Sequence, residues 1–128
     1  MARGQRYSIT YMSGPKDGTT VTFEQPPPGS QRIISLGRRD TCDIPIPEDN
    51  QVSRLHAQLG CVLRNVTSSD TTVPPLLSFW LEDSGSRNGT FVDKNSEPIT
   101  RRTALRPGSL FRVGRTWLRL DEPISFEH

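Results

Sequence analysis

Three short clusters of polar residues carry the chemistry open to this chain. "GRRD" sets Gly37, Arg38 and Arg39 together, "SRLH" brings Ser53, Arg54 and His56, and "SGSRNG" brings Ser86, Arg87, Asn88 and Gly89. Guanidinium forks match the oxygens of a phosphate or carboxylate, and hydroxyls and amides add neutral hydrogen bonds around them. Gathered at one spot, these residue types make an anion cradle. Catalytic templates are missing: there is no G-x-S-x-G elbow, Walker A loop, GxGxxG or HExxH. With only His56 and His128 in the chain, His56 would have to serve every acid–base role, and a Ser53/His56 pair lacks an identifiable orienting group. The chain reads as a binding protein without enzyme activity, and no cofactor or metal is expected.

Those clusters need elements to hold them. Period-2 alternation dominates and helical periodicity is nearly absent. Strands are expected at "YSITYM" (7–12), "TVTFE" (20–24), "RIISLG" (32–37), "CDIPIP" (42–47), "HAQLGCVLR" (56–64), "LLSFWLED" (76–83) and "TFV" (90–92). The prolines of 42–47 suit an edge or a bulge. Leu77, Phe79 and Leu81 fall on one face. "SLFRV-GR-TWLRL" reads as a hairpin closed by a type II′ turn at Gly114. This gives an all-β, antiparallel sandwich of about ten to eleven short strands, in which loops at one end cluster. The expected division is a flexible N-terminus at 1–6, one domain at 7–121, and a tail or linker at 122–128.

Composition narrows the class. The 128 residues carry 16 Lys plus Arg against 14 Asp plus Glu, a formal charge of +2 that by itself implies no polyanion partner. Eleven Pro and ten Gly are more punctuation than a helical protein tolerates. No apolar run suits a membrane span, and no signal sequence is visible. Cys42 and Cys61 make neither a disulfide framework nor a zinc motif. The expectation is a monomeric domain in the cytoplasm, or the nucleus if the source is eukaryotic. The sequons at Asn65 and Asn88 would then carry no glycosylation.

The ordered triple "GR" (37–38), "SRLH" (53–56) and "SRNG" (86–89), with strand patterning on both sides from about residue 7 to 121, resembles the forkhead-associated (FHA) domain. The resemblance implies a module that binds phosphothreonine-containing proteins written by a Ser/Thr kinase. By that resemblance Arg38 pairs with the phosphate, and Ser53 donates its hydroxyl to it. Arg54 adds charge or backbone contacts, Ser86 and Arg87 line the facing loop, and Asn88 bonds the peptide backbone. Gly37, His56 and Gly89 are then mainly architectural. It also implies a small pocket for the threonine methyl, worth about 1–3 kcal/mol against phosphoserine. The polar loops "RNVTSSDTTVPP" (64–75) and "DKNSEP" (93–98) are candidates for reading the rest of the peptide.

Plainer readings of the same residues exist. Arg38 and Arg39 are also a common solvated pair, Ser53 a common turn residue, and Asn88-Gly89 a strong hairpin signal. A nucleic-acid module is one rival, because Arg outnumbers Lys fourteen to two. The low net charge, scattered arginines and missing aromatic stacking platform argue against it. A sandwich that docks through a sheet face without phosphate is the other.

Overall fold

Side chains alternate across a strand, so a segment with every second residue apolar buries one face and wets the other. Eleven strands built this way are seen in a computed structural model that describes residues 3–64 and 76–127. They are β1 Arg3–Tyr11, β2 Thr20–Glu24, β3 Gln31–Gly37, β4 Ile44–Pro45, β5 Ala57–Arg64, β6 Leu76–Asp83, β7 Thr90–Val92, β8 Thr103–Leu105, β9 Leu110–Val113, β10 Thr116–Leu120 and β11 Ile124–Glu127. One sheet runs β11-β1-β10-β9-β7 with β2 also on β1, and the other runs β4-β3-β5-β6-β8. The expected all-β sandwich is thus observed. All pairings are antiparallel except β3 with β4, which is parallel.

The inner faces mesh into one core. Tyr7, Ile9 and Tyr11 of β1 and Phe111, Val113, Leu118 and Leu120 of β9 and β10 meet Ile34, Leu36, Leu59, Leu63 and Leu81 from the other sheet, all essentially without exposure. Leu77, Phe79 and Leu81 share the inner face of β6, as alternation requires. Tyr7 joins the layers through its ring, stacked on Phe23 of its own sheet and edge-on to Phe79 of the other, with centroids 5.6 and 5.4 Å apart. The Val113–Thr116 register confirms the two-residue hairpin, and Gly114 alone of its two loop residues has positive φ, the II′ pattern.

Two expectations are corrected, and one strand appears where none was expected. The strand expected at 42–47 shrinks to Ile44–Pro45, at the sheet edge where a residue without an N–H is tolerated. Residues 3–6 and 124–127, expected as a loose terminus and a tail, pair with each other from Arg3↔Glu127 to Arg6↔Ile124. Their backbone groups find ladder partners that no side-chain pattern announces. The unexpected strand, Thr103–Leu105, completes the second sheet beside β6. The polar loop expected between β5 and β6, with its sequon at Asn65, lies outside the described residues.

On the outer faces, large aromatics are roofed by arginine. Trp80 lies across Gly60 on the neighbouring strand and beneath Arg102, whose guanidinium carbon is 3.7 Å from the ring centroid. Arg112 sits 4.1 Å from the Phe91 ring and 5.8 Å from that of Trp117. A Cβ on Gly60 would fall 2.0 Å from the indole, so the flat Trp80 seat exists only because residue 60 has no side chain. Gly60→Ala is expected to destabilise the fold by about 1–3 kcal/mol. The loss should appear as a lower urea midpoint with an unchanged slope.

Candidate functional site

The chain leaves β3 at Gly37, enters β5 at Ala57 and crosses from β6 to β7 through residues 84–89, all at one end of the sandwich. Backbone bonds stitch these loops together. The Arg38 N–H donates to the Ser53 carbonyl at 3.0 Å and the Arg39 N–H to the Arg54 carbonyl at 3.4 Å. Gly37 makes this approach feasible, because a Cβ there would stand 2.2 Å from the Arg54 carbonyl oxygen. Arg38, Arg39 and Arg54 are exposed and together line an open depression.

His56 is fully buried and fastens two of the loops. The Ser53 N–H donates to its Nδ1 at 3.0 Å, and its Nε2 lies 2.8 Å from the Gly89 carbonyl. A ring nitrogen that accepts a bond carries no hydrogen, so the neutral Nε2–H tautomer satisfies both contacts. Its backbone extends the seam: its N–H donates to Leu36 and its carbonyl accepts from Ser84. The His56 nucleophile-partner reading is therefore closed, because both ring nitrogens are committed to backbone.

Across the gap, the Arg87 N–H donates to Ser53 Oγ at 3.0 Å, which leaves the Ser53 hydroxyl hydrogen for another acceptor. Asn88 is exposed and its Nδ2 donates to the Gln51 carbonyl at 2.8 Å, so part of its amide already bridges loops. Ser86 lies half-buried in the same loop. Its hydroxyl donates to Asp83 Oδ1 and accepts from the Gly89 N–H, so it braces the loop from inside.

Two carboxylates missed in the sequence shape the site. Asp83 accepts from the Gly85 and Ser86 N–H groups and from the Ser86 and Thr90 hydroxyls, folding the 83–90 loop around itself. Its signal was the spacing to Ser86 and Thr90, three and seven residues on. Asp49, only 7% exposed, takes the Gln51 and Arg115 N–H groups and the Thr116 hydroxyl. It thereby ties the β9–β10 hairpin to the loop that ends in Ser53. For both, burial pushes the carboxyl pKa up, but the hydrogen bonds outweigh it and hold each below the ordinary value. Among the described residues no His, Cys, Asp or Glu cluster could hold a metal ion, and Cys42 and Cys61 are free thiols.

A sandwich whose end loops are built in this way defines a class of protein. The FHA domain family model matches residues 34–114, well over half of the sequence, and the chain belongs to that family. Solved structures agree on the fold. The FHA domain of the CT664 protein from Chlamydia trachomatis superposes with a TM-score of 0.65 at 21% identity, covering 91% of this chain and 97% of that one. A structure from work on phosphothreonine-dependent FHA domain interactions gives 0.61 at 21%, covering 93% and 96%. Mycobacterium tuberculosis EmbR in complex with a low-affinity phosphopeptide gives 0.61 at 20%, covering 91% of this chain and 24% of that larger one. No curated protein sequence matches. No helix of the described residues is long and apolar enough to cross a membrane.

Two outcomes follow from the buried contacts. His56→Ala would strip the Ser53 N–H and the Gly89 carbonyl of their partner, at about 1–3 kcal/mol each, and should lower the thermal midpoint by several degrees. Because the folded Asp83 pKa is depressed, its stabilisation is complete above the ordinary carboxylate range and is lost as pH falls through the folded value. Acid titration of stability should therefore flatten in Asp83→Asn relative to the parent chain.

Proposed function

We propose that this chain is a reader of phosphothreonine in partner proteins, with no catalytic step of its own. The observation that carries the reading is the set Arg38, Arg54 and Arg87 around Ser53. Among the described residues none of these guanidiniums is in an ion pair or side-chain hydrogen bond, and the Ser53 hydroxyl donates to no acceptor. In this reading Arg38 grips the phosphate by its fork and Ser53 donates to a phosphate oxygen. Arg54 and Arg87 flank it, and the exposed Oδ1 of Asn88 takes a peptide N–H. Ser86, Gly37, His56 and Gly89 keep the walls in place. The phosphopeptide and phosphothreonine contexts of FHA domains of similar fold support the assignment.

Magnitudes fit a transient signalling contact. Phosphothreonine brings a charge of about −1.5 to −2 and three acceptor oxygens. Three or four charge-assisted hydrogen bonds at about 1.5–3 kcal/mol each, less the ordering of an extended peptide, leave roughly micromolar affinity. In this reading the mark is written by a Ser/Thr kinase.

The test is binding of a degenerate phosphothreonine peptide library by calorimetry or polarisation, against phosphoserine and unphosphorylated libraries. Phosphate-dependent binding that Arg38→Ala weakens by about 2–5 kcal/mol is expected. Equal binding of phosphorylated and unphosphorylated libraries would transfer the function to a sheet face.

A further inference from the structure

We infer that the preferred ligand carries a second anionic group, a carboxylate or another phosphate, next to its phosphothreonine, and that Arg39 beside Arg54 receives it. The inference rests on the phosphothreonine reading and adds a subsite to it. Its starting point is the gathering of Arg38, Arg39 and Arg54 around one depression. Elsewhere among the described residues Arg102 meets Glu82 and the Trp80 ring, Arg119 meets Asp121, and Arg112 reaches the Gly114 carbonyl and the Phe91 ring, while the exposed Arg101 and Arg106 share no depression with another arginine. At the loop end, Arg38, Arg39, Arg54 and Arg87 are all exposed, and among the described residues none has an ion pair, a side-chain hydrogen bond or a ring contact. Asp40 lies on the same loop and pairs with none of them.

Four clustered like charges repel one another, and a single phosphate with a charge of about −2 offsets roughly half of them. The backbone shows where the surplus sits. Ser53 marks the phosphate position, with the Arg38 N–H on its carbonyl and the Arg87 N–H on its hydroxyl. The Arg39–Arg54 bond is the next rung of the same pairing, one residue further along each loop. On this reading a residue neighbouring the phosphothreonine, and not the phosphothreonine itself, meets Arg39. The shared depression of Arg38, Arg39 and Arg54 makes the two anion positions contiguous.

The experiment measures polarisation with phosphothreonine peptides whose neighbouring positions, on either side, are substituted in turn by Ala, Glu, phosphoserine or Lys. The parent protein should bind the best Glu peptide about fivefold tighter than its Ala counterpart, and the phosphoserine peptide about tenfold tighter. Both gains should shrink with added salt. Arg39→Ala should erase the gains while keeping affinity for the Ala peptide, and Arg39→Glu should turn the preference toward Lys. If Ala and Glu or phosphoserine peptides bind alike while phosphate dependence persists, the second subsite is refuted and the reader function stands. Loss of all phosphate dependence would remove both readings. Equal competition by a DNA oligonucleotide would overturn the subsite in favour of general polyanion attraction.

Discussion

The His56 imidazole holds the recognition end of this sandwich together. One ring nitrogen accepts from the loop that enters β5, the other donates to the loop that leaves β6, and the ring is sealed from water. Buried hydrogen bonds of this kind are costly to leave unmade, so the two walls have one economical separation. The two walls it joins carry the Ser53 hydroxyl, the Arg87 backbone resting on it, and the Asn88 reach to Gln51. A histidine that looks chemical in sequence is thus spent on distance.

Rigid walls explain how a site made of loops holds flexible arginines to a purpose. Asp83 and Asp49 close the two flanking loops by internal hydrogen bonds, so the ordering of their backbone is complete before any ligand arrives. On the proposed reading only the guanidinium stems remain to be fixed when a ligand binds. The site on that reading separates its tasks: hydrogen-bonded carboxylates and an imidazole set the geometry, while exposed cations supply the attraction.

Much of this was legible from residue order. Alternation located β2, β3, β5, β6 and the Gly114 hairpin, because those strands pack one face on the core and wet the other. It was silent on β8 and β11, which are too short or too exposed to show a face, and it overextended β4, where proline limits the ladder. The three polar clusters were visible by type and spacing, and their meeting at one end follows from the sandwich. The inward turn of Ser86 depends on Asp83, a strand-end charge whose one signal was its spacing to Ser86 and Thr90. Asp49 was hidden, because its partners Arg115 and Thr116 lie far along the chain.

Arginine dominates this chain's cations, and the outer faces give that bias a colloidal meaning. A bare Trp80 or Trp117 on a flat sheet would be a sticky plate on which a second molecule could settle. A planar cation laid over each ring keeps a hydrated surface above the aromatic without uncovering the strand beneath it. Lysine, with its compact head, makes a poorer roof. The side chain that the proposed reading turns to an anion at the loop end thus acts on the flanks as a waterproofing tile turned outward, discouraging sheet-to-sheet stacking in a crowded solution.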